Sequence, residues 1–195
     1  MPSIDAENNI RSRFEALGGA VLVIGPNNFP LAFNGISGGD FVAAIAAGNP
    51  VIAKGHPAHP ETTRLLADAA REAVEEVGLP SGSVQCFFHA EPEEIARLIA
   101  HPGLSAVGFT GGRSSGLAIK SITDELGKPG YYELSSLNPV VLMPGAARME
   151  RTAFADSWAS SILMGSGQFC TKPGLCFVIG EDVGEALARE VATAL

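Results

Sequence analysis

Ala20-Val-Leu-Val-Ile24 and Pro50-Val-Ile-Ala-Lys54 are the two apolar runs that decide the fold. Each is short, and such a run is typical of a strand buried on both faces of a sheet. Between them, we expect Asp40 to cap a helix that reaches Ala47 and ends at Gly48-Asn49. A buried strand, a helix and a second buried strand predict a parallel βαβ unit with a right-handed crossover.

The same alternation continues along the chain. The clearest predicted helix starts with Pro60 in its first turn and ends at Val77, with Gly78 just beyond it. Its predicted apolar stripe consists of Leu65, Leu66, Ala69, Ala70, Ala73, Val74 and Val77. Further strands are predicted at 85–89, 105–109, 139–143 and 175–179. Further helices are predicted from 92 onward, over 115–126, through Phe154, Trp158 and Ile162, and over 183–195. We therefore predict an α/β fold built on a parallel sheet.

Composition narrows the class of protein. The chain has 195 residues, of which 46% are hydrophobic, and a formal net charge of −8. The hydrophobic content predicts a globular protein, and the negative charge argues against a nucleic-acid partner. No apolar run is long enough to span a bilayer, so we expect no membrane partner. Three widely spaced cysteines and a polar N-terminus predict a cytoplasmic protein with free thiols.

The segment Gly165-Ser-Gly-Gln-Phe-Cys170-Thr-Lys-Pro-Gly174 places one cysteine in a glycine-rich turn. Glycines let backbone and substrate approach closely, and a thiolate is a good nucleophile. Most single cysteines are small buried hydrophobes, which is the expectation for Cys86 and Cys176 in apolar strands. What distinguishes Cys170 is a carboxylate and an amide upstream, in Tyr131-Tyr-Glu133-Leu-Ser-Ser-Leu-Asn-Pro139 and Gly25-Pro-Asn-Asn28-Phe-Pro30.

Those segments, in that order, resemble the aldehyde dehydrogenases over essentially the whole chain. Asn28-Phe-Pro is similar to the family's oxyanion-binding motif, Gly108-Phe-Thr-Gly111 to its cofactor-phosphate motif, Glu133-Leu-Ser-Ser to its general-base motif and Gly167-Gln-Phe-Cys170 to its nucleophile motif. Together with Lys54-Gly-His-Pro-Ala-His-Pro60, the residues of these motifs most resemble one branch of the family. That branch contains the 2,5-dioxopentanoate (α-ketoglutarate semialdehyde) dehydrogenases and the NADP-linked fatty-aldehyde dehydrogenases.

The resemblance implies NAD(P)-dependent oxidation of an aldehyde to a carboxylate. Cys170 would be the nucleophile that forms a thiohemiacetal and then a thioester, and Asn28 the oxyanion donor. Only the Asn-Phe-Pro register selects Asn28 over the neighbouring Asn27. Glu133 would be the base that activates water, in an apolar setting supplied by the tyrosine pair before it and Leu134 after it. Gln168 and Phe169 would shape the tunnel beside the thiol, whereas Trp158 and Met164 are expected in the core.

The cofactor expectations also follow from the resemblance. Cofactor contacts are expected from Lys54, Pro57, Gly108, Thr110, Gly111, Gly112 and Leu134. Pro57 stands where NAD-specific members carry a glutamate, so NADP is slightly favoured over NAD. The family commonly has serine in place of Gly112, and Ser114 or Ser115 could substitute for its hydroxyl. No Gly-x-Gly-x-x-Gly fingerprint follows a strand. We expect no metal at His56 and His59, because prolines at 57 and 60 forbid a regular helix there.

The resemblance further implies a Rossmann-like NAD(P)-binding domain over 1–134, followed over 135–195 by the start of an α/β catalytic domain. Both would be partial, so the chain is expected to be an internal piece of a longer enzyme that is a homo-oligomer at full length. The expected substrate is the small-molecule aldehyde 2,5-dioxopentanoate, with fatty aldehydes next. Its carboxylate could be bound by Arg113, Arg148 or Arg151. A catalytically incomplete nucleotide-binding remnant and a CoA-acylating reductase remain the alternatives.

Overall fold

A parallel five-stranded sheet forms the larger part of the molecule. In the computed structural model, residues 4–5, 10–11, 15–149 and 151–195 are described. The chain divides into two compact units, Met1–Leu134 and Ser135–Leu195. The larger unit contains β1 (Ile4–Asp5), β2 (Ile10–Arg11), β3 (Ala20–Ile24), α1 (Gly39–Ala46), β4 (Val51–Lys54), α2 (Pro60–Glu76), β5 (Val84–Phe87), α3 (Pro92–Ala100), β6 (Leu104–Thr110), α4 (Arg113–Glu125) and β7 (Gly130–Glu133).

The sheet has the strand order β5-β4-β3-β6-β7, and every neighbouring pair is parallel. The chain therefore runs outward from β3 to β5, returns to the other side of β3, and continues outward through β6 to β7. This reversal of direction is a topological switch point, where open α/β sheets bind their ligands beyond the carboxyl ends of the strands. The short β1 and β2 pair antiparallel as a separate ribbon.

Two apolar layers cover the sheet. On one face, Val21 and Val23 pack with residues of α1 and α2, including Ala44, Ala67 and Val74. On the other face, Leu22 and Ile24 pack with residues of α3 and α4, including Ile95, Ile99, Ile119 and Ile122. Successive residues of β3 thus serve opposite layers, which is why the strand reads as a continuous apolar run.

The smaller unit has its own core. It contains β8 (Pro139–Leu142), α5 (Pro144–Met149), α6 (Arg151–Leu163), a 3₁₀ turn (Met164–Gly167), β9 (Leu175–Val178) and α7 (Glu181–Ala194). Strands β8 and β9 pair in parallel, with Pro139 opposite Leu175 and Leu142 opposite Val178. Leu142 packs with Ala155 of α6 and with Val183, Leu187 and Val191 of α7.

The α/β class and the parallel sheet are confirmed, whereas several local predictions were wrong. Asp40 lies inside the first turn of α1, whose N-cap is Gly38, so it does not cap the helix. Helix α4 begins at Arg113, earlier than the predicted Ser115. In α2 the buried positions are Thr63, Ala67 and Val74, while Leu65 and Val77 are exposed. A polar threonine at the core position caused the error in the stripe. Helix α5 was not predicted.

The helices can be compared with the length and hydropathy that a membrane-spanning helix requires. None of those in the described part of the chain is both long and apolar enough to cross a bilayer.

We predict that Gly116→Ala destabilises the larger unit. A Cβ at Gly116 would lie 3.0 Å from Cε1 of Phe109 and would clash with Cδ2 of Leu134, because α4 crosses close to the end of β7. Overpacking of this kind costs about 1–3 kcal/mol. The matched control is Gly39→Ala in α1, where a Cβ meets nothing within 4 Å. Urea denaturation should lower the free energy of unfolding for the first variant only, and equal losses would contradict the close approach of α4.

Candidate active site

Four of the expected site residues lie at the carboxyl ends of four strands. Asn28 follows β3, Lys54 ends β4, Thr110 ends β6 and Glu133 ends β7. The register places Ile24 opposite both Lys54 and Phe109, and Thr110 opposite Glu133. Because parallel strands share one direction, their carboxyl ends meet at a common edge of the sheet. The structure therefore brings these residues to one edge of the larger unit.

The loop after β3 is a tight turn. The backbone N–H groups of Ala32 and Phe33 both donate to the carbonyl oxygen of Phe29, at 3.2 and 3.0 Å. The rings of Phe29 and Phe33 meet edge to face with 5.8 Å between centroids. Asn28 is half-buried in this loop, while its neighbour Asn27 is exposed. Asn28 is thus the less exposed of the two neighbouring amides.

Sequence reasoning missed Asn34, which anchors this loop. Its side chain is only 2% exposed, its Nδ2 donates to Thr63 Oγ1 at 2.9 Å, and its Oδ1 accepts from the Ile36 N–H at 3.2 Å. The Asn28 loop is thereby tied to the first turns of α2. An amide in an otherwise apolar and glycine-rich stretch, Ala32-Phe-Asn-Gly-Ile36, was the available signal, because a buried amide must be hydrogen-bonded.

A lysine and two histidines lie at or just after the end of β4. Lys54 is half-buried and donates to the carbonyl oxygen of Gly55 at 3.2 Å, and desolvation lowers the pKa of its ammonium. The rings of His56 and His59 lie 5.5 Å apart. Desolvation, followed by the charges of His59 and Lys54, lowers the pKa of His56. Pro57 is exposed between them. No group of three or more His, Cys, Asp or Glu suited to a metal occurs among the described residues.

The three glycines expected to contact the cofactor, Gly108, Gly111 and Gly112, have different structural roles between β6 and α4. Gly108 is buried inside β6, and a Cβ there would lie 2.9 Å from Asp40 Oδ2, so this glycine lets α1 approach. The N–H of Gly111 already donates to the Glu133 carbonyl oxygen at 3.0 Å, and so it extends the sheet pairing. Gly112 is the N-cap of α4, and the first turn of that helix holds no acidic residue. Packing explains Gly108 and sheet pairing occupies Gly111, which the motif alone did not reveal.

Glu133 does not sit in the apolar setting expected for it from its sequence neighbours. Side chains alternate along β7, so Tyr131 and Glu133 are exposed on one face. Tyr132 and Leu134 turn to the other face and pack in the core with α3 and α4. Tyr132 also shares a hydrogen bond of 2.5 Å with Thr123 Oγ1. The expectation was therefore wrong for Tyr132 and Leu134, which strand alternation places on the face opposite Glu133, whereas Tyr131 shares its face.

Cys170 lies in the smaller unit, at the corner of a β-turn. The Lys172 N–H donates to the Phe169 carbonyl oxygen at 3.1 Å, which makes Cys170 and Thr171 the central residues of the turn. Three consecutive residues before it, Gly165, Ser166 and Gly167, have φ values of 59°, 57° and 71°. That left-handed run explains the glycines on either side of Ser166. The thiol is half-buried and unbridged.

Polar contacts from the entry to β8 hold the cysteine turn. Asn138 Nδ2 donates to the carbonyl oxygens of Cys170 and Lys172, at 2.6 and 3.0 Å. Ser136 Oγ also donates to the Cys170 carbonyl oxygen. From α6, Trp158 Nε1 donates to the Pro173 carbonyl oxygen at 3.2 Å. No role was predicted for Asn138 within the segment 131–139, and its place before a proline was the available signal for a turn residue.

Several secondary expectations can be placed. Cys86 packs against the core of the larger unit, and desolvation raises the pKa of its thiol. Cys176 packs in the core of the smaller unit, where desolvation likewise raises the thiol pKa. Met164 is exposed, so the core prediction was wrong for it. The guanidinium of Arg151 is paired with Glu190 at 2.6 Å. Arg113 begins α4, and the side chain of Arg148 lies outside the described part of the structure.

Comparison with known proteins decides the family. The model of the aldehyde dehydrogenase family matches residues 1–195. The chain belongs to the aldehyde dehydrogenase family. It is 42% identical over 184 residues to alpha-ketoglutaric semialdehyde dehydrogenase 2 of Azospirillum brasilense, covering 89% of this chain and 35% of that protein. It is also 42% identical over 159 residues to alpha-ketoglutaric semialdehyde dehydrogenase of Acinetobacter baylyi, covering 80% of this chain and 30% of the relative.

The fold agrees with solved aldehyde dehydrogenases. P. syringae AldA indole-3-acetaldehyde dehydrogenase, solved as a mutant with NAD+ and IAA, is similar with a TM-score of 0.72 and 24% identity. The similarity covers 91% of this chain and 34% of that one. Aldehyde dehydrogenase KauB from Pseudomonas aeruginosa gives a TM-score of 0.72 at 23% identity, with 91% and 34% covered. The chain thus spans about a third of the length of the relatives it matches.

We predict a coupling between Asn34 and Thr63. Each of Asn34→Ala and Thr63→Val should lower the free energy of unfolding, because each leaves a buried polar partner unsatisfied, at about 1–3 kcal/mol. The double variant should lose less than the sum, and the difference should be about 0.5–3 kcal/mol. A double-mutant cycle by urea denaturation measures it. Additive losses would show that the 2.9 Å contact does not tie the Asn28 loop to α2.

Proposed function

We propose that this chain carries the cofactor-binding and thiol machinery of an NAD(P)-dependent oxidation of an aldehyde to a carboxylate. The observation that carries the proposal is the place of Cys170, a half-buried thiol at the corner of a hydrogen-bonded turn in a chain of the aldehyde dehydrogenase family. A half-buried thiol that glycines leave open to substrate suits nucleophilic attack.

In the proposed reaction, the Cys170 thiolate adds to the aldehyde carbon and the carbonyl oxygen becomes an oxyanion. The Asn28 amide and the backbone N–H of Cys170 stabilise this oxyanion by donating hydrogen bonds. A bound NAD(P)+ supplies the acceptor for the hydride that leaves the same carbon. The thioester left on Cys170 is attacked by a water that Glu133 deprotonates, the carbon–sulfur bond breaks, and the carboxylate departs with the thiolate restored.

The larger unit offers donors that fit a dinucleotide. The N-terminus of α4 lies directly after β6, beside the switch point, and its first turn holds no acidic residue that would repel a pyrophosphate. Such a helix end carries partial positive charge and donor N–H groups. Lys54 adds a cation at the end of β4, where it would contact the adenosine ribose, with Pro57 beside it. Thr110, Gly111, Gly112 and Leu134 complete the proposed contacts.

The proposed substrate is 2,5-dioxopentanoate, and its support is the pair of relatives whose names carry that activity. It is a small aldehyde with a carboxylate at its far end. The three arginines considered for that carboxylate are Arg113, Arg148 and Arg151, of which Arg151 forms an ion pair with Glu190. A fatty aldehyde lacks a second charged end, so a comparison of the two substrate types separates the two candidate activities. A cytoplasmic location and a homo-oligomeric full-length protein remain predictions.

We expect Cys170→Ser to abolish aldehyde-dependent formation of NAD(P)H, followed by absorbance at 340 nm with 2,5-dioxopentanoate. Asn28→Ala should lower the rate by about 10²–10³, the usual cost of one oxyanion donor. Asn27→Ala is the matched control, because Asn27 is exposed one residue earlier, and it should keep the wild-type rate. Full turnover in Cys170→Ser would refute the mechanism, and equal losses at both asparagines would refute the Asn28 assignment.

Pro57→Glu should shift the cofactor preference from NADP toward NAD. A carboxylate at this exposed position would repel a 2′-phosphate and accept hydrogen bonds from ribose hydroxyls. Ala58→Glu is the charge-matched control, and its effect should be smaller by about tenfold in the ratio of dissociation constants. Titration of the chain with 2′,5′-ADP and with 5′-AMP measures the preference without turnover. No change in Pro57→Glu would show that residue 57 does not face the ribose.

The remnant hypothesis has a distinct signature in the same experiments. A chain that binds the nucleotides but forms no NAD(P)H with any aldehyde would be a nucleotide-binding remnant. A chain that reduces the cofactor only when CoA is present, and that is indifferent to Glu133→Gln, would be an acylating enzyme. Hydrolytic turnover that requires Glu133 is the result expected here.

A further inference from the structure

The carbonyl group of Cys170 is fixed more firmly than the rest of its turn. Its oxygen accepts from Asn138 Nδ2 at 2.6 Å and from Ser136 Oγ, so both of its acceptor positions are occupied. The same amide nitrogen donates to the carbonyl oxygen of Lys172 at 3.0 Å. An amide nitrogen carries two N–H donors, so one asparagine satisfies one carbonyl at the cysteine and another at the end of its turn.

The backbone at Asn138 is adapted to this task. Its φ is 46°, in the left-handed region that asparagine and glycine tolerate better than other residues. The preceding carbonyl, of Leu137, accepts from the Gly174 N–H at 2.9 Å, so the same short segment also holds the far end of the cysteine loop. The left-handed turn at 138 therefore lets one segment contact the loop at both ends.

Fixing this carbonyl affects the sulfur of the same residue. Covalent geometry keeps a cysteine sulfur within about 5 Å of its own carbonyl oxygen. A carbonyl oxygen without donors carries partial negative charge, which disfavours a nearby thiolate, whereas donors on that oxygen offset the charge. The two donors also prevent rotation of the Cys170–Thr171 peptide, which would otherwise bring a different dipole toward the thiol.

We propose that Asn138 is a positioning residue for the Cys170 nucleophile, and that with Ser136 it immobilises the Cys170 carbonyl and offsets its negative partial charge beside the reacting sulfur. The proposal rests on the nucleophilic role of Cys170 in the proposed function. In this proposal Asn138 acts through the backbone of residues 170–172, where its amide contacts two carbonyl oxygens.

The test is the rate at which iodoacetamide alkylates Cys170 at one fixed pH near neutrality, measured for the full chain by peptide mass spectrometry. Asn138→Gly keeps the left-handed backbone and removes both donors, and it should slow alkylation about two- to tenfold. Asn138→Asp keeps the shape and replaces the donors with a negative charge, so it should be slower still. Cys86 and Cys176 are internal controls in every sample, and their rates should not change.

A merely structural role predicts the opposite sign. If Asn138 only tightened the loop, its removal would loosen a half-buried thiol and alkylation of Cys170 would become faster. An unchanged or faster rate in Asn138→Gly therefore overturns the proposal. If that variant does not fold, as judged by circular dichroism, Ser136→Ala decides the matter, because it removes one donor from an exposed side chain. A slower rate in Ser136→Ala supports the proposal, and a wild-type rate overturns it.

Turnover separates this inference from the proposed function. In Asn138→Gly, kcat for aldehyde oxidation should fall about two- to tenfold while the KM for NAD(P) stays within about twofold, because the cofactor contacts lie in the other unit. A wild-type chain that forms no NAD(P)H with aldehyde would refute the proposed function. The relative alkylation rates of the wild type, Asn138→Gly and Asn138→Asp would still test the role of Asn138. Cys170-dependent turnover with unchanged alkylation would refute only the inference about Asn138.

Discussion

The parallel pairing of β3 with β4 on one side and β6 on the other is the constraint on which the larger unit depends. It sets Ile24 opposite both Lys54 and Phe109, so the residues that follow three strands emerge at one edge. The central strand can hold this place only because both of its faces are apolar: Val21 and Val23 serve one helical layer and Leu22 and Ile24 the other. A polar residue in β3 would leave one layer without a partner, and the edge would lose its register with it.

Loops in both units are held by asparagine side chains in place of regular backbone pairing. Asn34 ties the loop after β3 to α2, and Asn138 ties the cysteine turn to the entry of β8. Asn49 does the same before β4, since its Oδ1 accepts from the Leu17 N–H at 2.6 Å and its Nδ2 donates to the Ala44 carbonyl oxygen at 3.2 Å. An amide both donates and accepts without changing charge, so it can replace missing backbone partners while adding no titration to the site.

Periodicity and breaker residues sufficed to predict the strands β3, β4 and β8, the start of α2 at Pro60 and the end of that helix before Gly78, because these depend on local chemistry. The buried face of α2 could not be predicted, since Thr63 occupies the core through its bond to Asn34, 29 residues away. The motif residues were found by resemblance, but their environments were not. Gly108 is buried under Asp40 because of packing, and Tyr132 points away from Glu133 because side chains alternate along a strand. Neither environment can be predicted from the residue types of a motif.

Burial acts on charged groups of both signs near the sheet edge. Lys54 ends β4, and Asp40 lies against Gly108 of β6. Burial lowers the pKa of Lys54 and raises that of Asp40, so at the edge desolvation opposes ionisation of both signs. A lysine in that state gains more from an anionic ligand than a solvated one, because the ligand offsets a cost already present in the folded chain. The fold thus places Lys54 where burial disfavours its charge, a cost that a bound anion would offset under the proposed function.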